Sequence, residues 1–328
     1  MNFKTPKIDV IFCVKEVDQK VINSIRTLNN QTFDDFGIIL VFKNGLVDTV
    51  SQKIRSILTN EHQLTIVQQT SGKLSDARNI GLDNLSAPYF TFIDGDDTVE
   101  PNHLNNLISH MDSAVDQIIS LPILTGGMQN RMWGWFNKRS PGDYKPTKRL
   151  LQDLPVVVWG KLFRTDVVQN WKIRFPHNVI FEDNYFHWAY STLCRRIRII
   201  SERSYHYEIS SSSLMGTVSS ANGAKGLDNL VVLSAIIETL TNNSREVFID
   251  RRLLRMYYMA ALNFSEPKYV PEINYRFNNI LKRIPTYTAN LTILSLAYKG
   301  RPKNFDKCEF IRMVFLSFYT RLIFNQEK

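Results

Sequence analysis

Between residues 8 and 124, short apolar runs alternate with amphipathic stretches at a nearly regular interval, and few folds accommodate that rhythm. Residues 8–14 (IDVIFCV), 36–42 (FGIILVF), 64–68 (LTIVQ), 89–93 (YFTFI) and 117–124 (QIISLPIL) are strand-like in length and in β-branched or aromatic content. Residues 21–28, 49–58, 75–85 and 104–111 carry helical spacing between them. Strand and helix alternating in this way predict an α/β sheet built largely of parallel strands. Such sheets bind ligands beyond the carboxyl ends of their strands, so chemistry is expected just after each apolar run.

Past residue 124 the rhythm changes. Residues 125–150 lose periodicity and gather Gly, Pro, Trp133, Trp135, Arg139 and Lys148, as a long surface loop or lid does. Stacking on a bound ligand and a simple surface hairpin explain the two tryptophans about equally well. Apolar patterning returns at 156–163, a helix is expected from Glu182, and residues 196–207 alternate like paired strands. Residues 210–225 are polar and linker-like, and from Leu227 onward the pattern is helical. The expected organisation is therefore an α/β domain over 1–220 and a helical module over 221–328. Near the C-terminus, residues 310–324 (FIRMVFLSFYTRLIF) are too short and too charged to span a bilayer, yet too apolar for an isolated solvated helix. Packing or a homo-oligomer contact is preferred there, with a peripheral membrane contact left open.

Composition narrows the class. A chain of 328 residues with 44% hydrophobic and 22% charged residues builds a real core, which excludes disorder. Cys13, Cys194 and Cys308 lie far apart without a CxxC pair, so neither a disulfide framework nor a thiolate zinc site is expected. The apolar run at Val10–Val14 is too short for a signal peptide, and a reducing cytoplasm is the expected setting. The net charge of +9 is uneven: residues 221–328 hold 16 Lys+Arg against 9 Asp+Glu. That excess favours an anionic partner. The basic third has no arginine-rich helix, RNP-like motif or zinc spacing, so nucleic acid is not the expected one.

Three short segments carry chemistry. Asp94-Gly95-Asp96-Asp97 follows a buried strand directly, and carboxylates this dense repel one another, which a divalent cation usually makes tolerable. A site for Mg²⁺ or Mn²⁺ and a turn that caps the helix near Pro101 weigh equally on these four residues alone. Residues 72–81 (GKLSDARNIG) lead into the cluster. Arg78 is able to fork onto a phosphate from there, although a solvent-facing Arg on a capped helix is the commoner outcome. The Glu182-Asp183 pair opens an apolar helix face, where a lone acidic pair is usually a cap and dipole partner.

Taken in order, GxxxxARNxG, a strand ending in DxDD, the W-x-K-L-F of residues 159–163 and a downstream Glu-Asp resemble the family 2 glycosyltransferases of the GT-A fold. Asn30-Gln31-Thr32 resembles the NQT step of that family, and the likeness covers roughly residues 7–215. It is greatest to bacterial enzymes of capsule, lipopolysaccharide or wall teichoic acid synthesis. The resemblance implies a Rossmann-like, mixed and mostly parallel sheet with flanking helices, followed here by a helical C-terminal module. It implies an inverting transfer from a nucleotide sugar, favouring UDP, to a glycan, glycolipid or teichoic-acid-like acceptor.

Carried over residue by residue, it makes Asp96 the direct Mn²⁺ or Mg²⁺ ligand, with Asp94 nearer the ribose and the metal's waters and His206 a further candidate for the metal or diphosphate. Arg78 then contacts the nucleotide, with Cys13, Lys15, Lys43, Gly72, Asp76 and Gly95 also on the donor side. Asp183 becomes the general base with Glu182 beside it, and Trp159 and Lys161 shape the acceptor side. Two positions depart from the pattern: Cys13 stands where the family usually has Pro, and Lys43 where an Asp usually reads the uracil or ribose. A cation cannot make the hydrogen bonds of that acceptor, so the departures also admit a non-catalytic protein that binds nucleotide sugar or glycan.

Overall fold

The computed structural model describes residues 5–58, 63–126, 138–209 and 223–284. In chain order, the first half runs β1 (Ile8–Val14), α1 (Gln19–Asn29), β2 (Phe36–Phe42), α2 (Val47–Ile57), β3 (Gln63–Gln68), α3 (Leu74–Asp83), β4 (Tyr89–Asp94), β5 (Thr98–Val99), α4 (His103–Ser109), β6 (Gln117–Ser120) and β7 (Ile123–Gly126). After it come β8 (Gly142–Tyr144), α5 (Lys148–Asp153), β9 (Lys161–Arg164), α6 (Thr165–Asn170), α7 (Glu182–Leu193), β10 (Ile197–Ile200) and β11 (Tyr205–Ile209). The last helices are α8 (Leu227–Asn242), α9 (Arg251–Asn263) and α10 (Val270–Leu281).

Strands β1 and β2 are apolar along nearly their whole length because both faces of the sheet are covered. Ile8 pairs with Phe36 on one side and Tyr89 on the other, which sets β1 between β2 and β4, all parallel. Parallel β3 continues the sheet beyond β2. The carboxyl ends of β1 to β4 therefore share one edge, where Val14, Phe42, Gln68 and Asp94 stand. On the other flank β9 runs antiparallel to β4 and β6, and the order is β3-β2-β1-β4-β9-β6-β10-β8. This is the mixed, mostly parallel sheet with flanking helices expected from the sequence, and a helical C-terminal region follows it.

Two readings of the strand pattern need correction. Residues 117–124 form not one strand but two, divided at Leu121-Pro122, where proline withdraws a ladder donor. Strand β6 joins the large sheet, and β7 joins a second sheet of order β5-β11-β7. Residues 196–207 likewise supply β10 to the large sheet and β11 to the small one, so they do not pair with each other. The small sheet matters for the site because β11 runs beside the segment that follows Asp94.

Packing groups the chain into two compact units, Met1–Ser220 with Glu238–Phe248, and Ala221–Ile237 with Ile249–Lys328. In the second unit Leu253, Leu254, Tyr257 and Ala261 form the buried stripe of α9, and Ile273, Phe277, Ile280 and Leu281 that of α10. Asp250 caps α9 by accepting from Leu253 N at 2.8 Å. Trp133, Trp135, the linker over 210–222, Cys308 and the apolar segment 310–324 lie outside the described residues. Among the described residues no helix is long and apolar enough to cross a membrane.

Candidate active site

Asp94 is the last residue of β4, so its carboxylate stands at the shared carboxyl edge of the parallel strands. The three acidic residues of DGDD have different fates. Asp97 is buried and accepts the Tyr205 hydroxyl at 2.8 Å, while the same hydroxyl accepts from Asp94 N at 3.1 Å. Asp96 is exposed at the edge and Asp94 half-buried. Neither Asp96 nor Asp97 caps the following helix, whose N-cap is Asn102, so the capping alternative is set aside. Gln31 of the Asn-Gln-Thr step pins that region instead: its amide donates to Glu100 O at 2.8 Å and accepts from Leu104 N at 3.0 Å.

Helix α3 explains the spacing of GxxxxARNxG. At Gly72 the backbone has φ +90, which few side chains tolerate, and a Cβ there would lie 2.5 Å from Asp76 Oδ2. Asp76 spends its oxygens on the protein, accepting from Lys73 N at 2.8 Å and Asn178 N at 3.1 Å and pairing with His177 Nδ1 at 2.9 Å. It therefore shapes the loop. Gly81 lets α3 lie against β1, since a Cβ would meet Ile11 Cγ2 at 2.5 Å. Close approach buries the middle of the motif: Ala77, Arg78 and Asn79 are all inside. Asn79 then fixes Phe175 through both backbone polar groups, at 2.9 and 2.8 Å.

Arg78 is 2% exposed, so the solvent-facing reading fails. Its guanidinium lies 5.8 Å from the Phe92 ring centroid and 5.9 Å from that of Phe175. One terminal nitrogen donates to Glu182 Oε1 at 2.7 Å and to Asp183 Oδ1, and the other to Asp94 Oδ1 at 3.1 Å. Burial alone would pull its pKa down, but Asp183, Asp94 and Glu182 together hold it above the ordinary guanidinium range. The guanidinium thus faces three carboxylates and two aromatic rings rather than solvent.

Glu182 and Asp183 open α7 after Phe181, which adopts the left-handed conformation with φ 67 and makes no side-chain cap. Their carboxylates turn to Arg78, so they are not caps. Burial raises Glu182 to about 7 against the pull of Arg78. Asp183, with its side chain 22% exposed, is also raised by burial, again opposed by Arg78. A carboxylate raised towards neutrality and still reachable from outside suits proton transfer.

Other expected site residues fall elsewhere. Trp159 is 4% exposed and stacks on Tyr205 and Tyr207, with ring centroids 4.7 and 4.8 Å away. Lys161 is 1% exposed and donates to Pro155 O at 2.6 Å, and burial lowers its pKa to about 7. Both side chains are turned inward, Trp159 into the aromatic stack and Lys161 to the Pro155 carbonyl. His206 pairs with Glu100 at 2.6 Å, and no group of three or more His, Cys, Asp or Glu able to hold a metal occurs among the described residues. Tyr205 and Tyr207, missed by sequence reasoning, occupy the strand face that His206 does not, and the period of two in Tyr-His-Tyr was the signal for it.

Residues 9–171 match the family model described as Glycosyl transferase family 2. The chain belongs to that family. Among curated relatives of this family 2 chain, glycosyltransferase GlyA of Streptococcus pneumoniae is 24% identical over 220 residues, 63% of this chain and 31% of that protein. The uncharacterized glycosyltransferase EpsJ of Bacillus subtilis is 23% identical over 219 residues, 64% of this chain and 63% of that protein. The chain thus spans less than two thirds of the length of either relative. Its fold is similar to that of S. aureus TarS 1–349, solved in complex with UDP-GlcNAc, at a TM-score of 0.63 and 16% identity, covering 85% of this chain and 82% of that one.

Lys43 Nζ donates to Gly72 O at 2.7 Å, tying the loop after β2 to the loop after β3. The carbonyl of Lys15 accepts from Asn44 N at 2.6 Å and Lys43 N at 3.3 Å, which docks the same loop on the end of β1. Burial pushes the Cys13 thiol up to about 12, so it stays protonated and serves as a small apolar residue in β1. Gly95 follows Asp94 between the two edge carboxylates. Asp94 and Asp96 both carry hard carboxylate oxygens at this edge, the donor type that would suit a Mg²⁺ or Mn²⁺ ion completed by phosphate oxygens rather than a closed protein cage.

Proposed function

We propose that this chain transfers a sugar, with inversion, from a nucleotide-sugar donor, favouring UDP, to a hydroxyl of a bacterial cell-surface glycan or glycolipid. The observation that carries the reading is that Arg78 joins Asp94, at the end of β4, to Glu182 and Asp183, at the start of α7. A donor-side carboxylate and a candidate base share one buried cation, as a reaction between two bound substrates requires.

In this reading the donor lies over the ends of β1, β2 and β4, and Asp94 and Asp96 hold the divalent ion. When bound, that ion offsets charge on the leaving diphosphate. Asp183 accepts the proton of the acceptor hydroxyl as its oxygen attacks the anomeric carbon. The new C–O bond forms on the face opposite the nucleoside diphosphate, which departs with the electron pair of the broken bond. The transition state has oxocarbenium character, as in glycoside cleavage, and no covalent enzyme intermediate is needed. Tyr205 keeps the DGDD turn in place while charge redistributes, and Gln31 holds the segment that follows it.

The acceptor is read as an anionic polymer or glycolipid at the cytoplasmic side of the membrane. The positive excess of residues 221–328 supports this, and Arg251, Arg252 and Arg255 stand exposed on α9. The second reading, a non-catalytic binder of nucleotide sugar or glycan, rests on Lys43 and Cys13.

A thermal-shift panel of UDP-, GDP-, CMP- and dTDP-sugars, with and without Mn²⁺, tests the proposal. A UDP-sugar at a hundred times its Kd stabilises by about 2.7 kcal/mol if it binds only the folded state. The shift is expected only with the metal, together with slow release of UDP by hydrolysis that stops in EDTA. Binding without turnover would favour the second reading, and no shift with any nucleotide sugar would remove the transfer reading.

A further inference from the structure

We propose that Arg78 is a positioning residue that fixes Asp183 relative to Asp94 from beneath the site and does not itself touch the donor. The proposal rests on the reading of Asp183 as the base. Arg78 enters from α3, Asp94 from β4, and Asp183 from α7, so three elements distant in sequence converge on one guanidinium. Both terminal nitrogens donate to carboxylates, Phe92 and Phe175 lie about the plane, and the residue is 2% exposed. A phosphate would have to displace one of those carboxylates to reach it.

The planar fork sets a separation as well as a charge. Asp94 faces the leaving group and Asp183 the incoming hydroxyl, so the spacing that Arg78 imposes is the spacing along which in-line displacement runs. Asn79 secures the same arrangement from behind, holding Phe175 by two hydrogen bonds. Glu182 is the third partner of the cation. It is buried while Asp183 is partly open, so Glu182 holds the guanidinium and Asp183 is left to meet the acceptor. Lysine at this position keeps the charge but loses the fork, because one ammonium cannot reproduce two diverging planar donors.

The test uses the purified full chain in two independent measurements. In the first, Arg78→Lys is compared with wild type for UDP binding with Mn²⁺ by calorimetry and for hydrolysis of the UDP-sugar selected by the panel. The expected result is a UDP affinity within about threefold of wild type and a turnover lower by about 10²-fold, the scale for misplaced groups. A tenfold or greater loss of UDP affinity, or unchanged turnover, overturns the proposal.

The second measurement needs no ligand and covers variants too weakened for kinetics. Urea midpoints of wild type, Arg78→Met, Asp183→Asn and the double variant form a cycle. Arg78→Met is expected to lower the midpoint, and adding Asp183→Asn is expected to recover part of the loss, because the stranded carboxylate is gone. Strictly additive shifts overturn the clamp. If wild type neither binds nor hydrolyses any nucleotide sugar, the transfer reading fails, and the cycle still decides whether Arg78 holds Asp183.

Discussion

The hydroxyl of Tyr205 donates to the carboxylate of Asp97 at 2.8 Å, and both residues are buried. The last acid of DGDD is therefore an anchor of the turn, while Asp94 and Asp96 stay at its open edge. Removing the hydroxyl strips a buried carboxylate of a donor, and such losses run to about 1–3 kcal/mol. Tyr205→Phe is accordingly expected to lower the urea midpoint by a corresponding amount. Asp97→Asn keeps an acceptor for the hydroxyl and is expected to retain more donor-release activity than Asp96→Asn. The reverse order of activities would return Asp97 to the metal side of the cluster.

Asp183→Asn tests the base. The amide keeps the shape and an acceptor for Arg78 but cannot take a proton, so turnover is expected to fall by about 10²- to 10⁴-fold with donor affinity retained. Because burial raises Asp183 against the pull of Arg78, the acid limb of the wild-type kcat profile is expected above the usual aspartate range. Turnover near wild type in Asp183→Asn would remove it from the role.

Glu182 makes a separate statement about pH and stability. Its folded pKa is raised from 4.5 to about 7, with burial as the main cause. Between those values the folded state binds more protons than the unfolded state. The contribution is thus fully present below pH 4.5 and is lost as pH rises through about 7. Glu182→Gln, which keeps an acceptor for Arg78, is expected to unfold at higher urea than wild type at pH 8, with the difference fading below pH 4.5. A difference independent of pH would contradict the shift.

Gly81→Ala probes how α3 is seated. The added methyl would lie 2.5 Å from Cγ2 of the fully buried Ile11, so the helix rather than the strand side chain has to move. Overpacking of this kind costs about 1–3 kcal/mol. Since Arg78 lies on the same helix, donor-release turnover is expected to fall together with the urea midpoint. A loss of stability with turnover unchanged would show that α3 shifts without disturbing Arg78.

Chelation gives the simplest check on Asp94 and Asp96. Activity is expected to vanish in EDTA and to return with Mn²⁺ or Mg²⁺, because two open carboxylates alone leave the charge of a diphosphate uncompensated. Full turnover in chelator would assign that charge to another group.

Much of this arrangement was written in local pattern. Period and length located β1, β2, β3, β4 and the helices between them, because a strand buried on both faces must be apolar throughout. The end of β4 placed Asp94 at the ligand-binding edge for the same reason. Pattern failed where neighbours in sequence part company in space: at Leu121-Pro122, where one apolar run feeds two sheets, and between β10 and β11.

What the sequence alone determined was the architecture and the short set of acidic and basic residues able to do chemistry. The tertiary structure decided the partners of those residues. Side-chain type gave Arg78 the capacity to bind any oxyanion, but the close seating of α3 on β1 buried it and the start of α7 supplied Glu182 and Asp183. Trp159, Lys161 and His206 were available to a ligand by composition, and packing assigned them to an aromatic stack, a backbone carbonyl and Glu100. Local order in a chain sets what each side chain can bind, and only the convergence of distant segments sets what lies within hydrogen-bond reach.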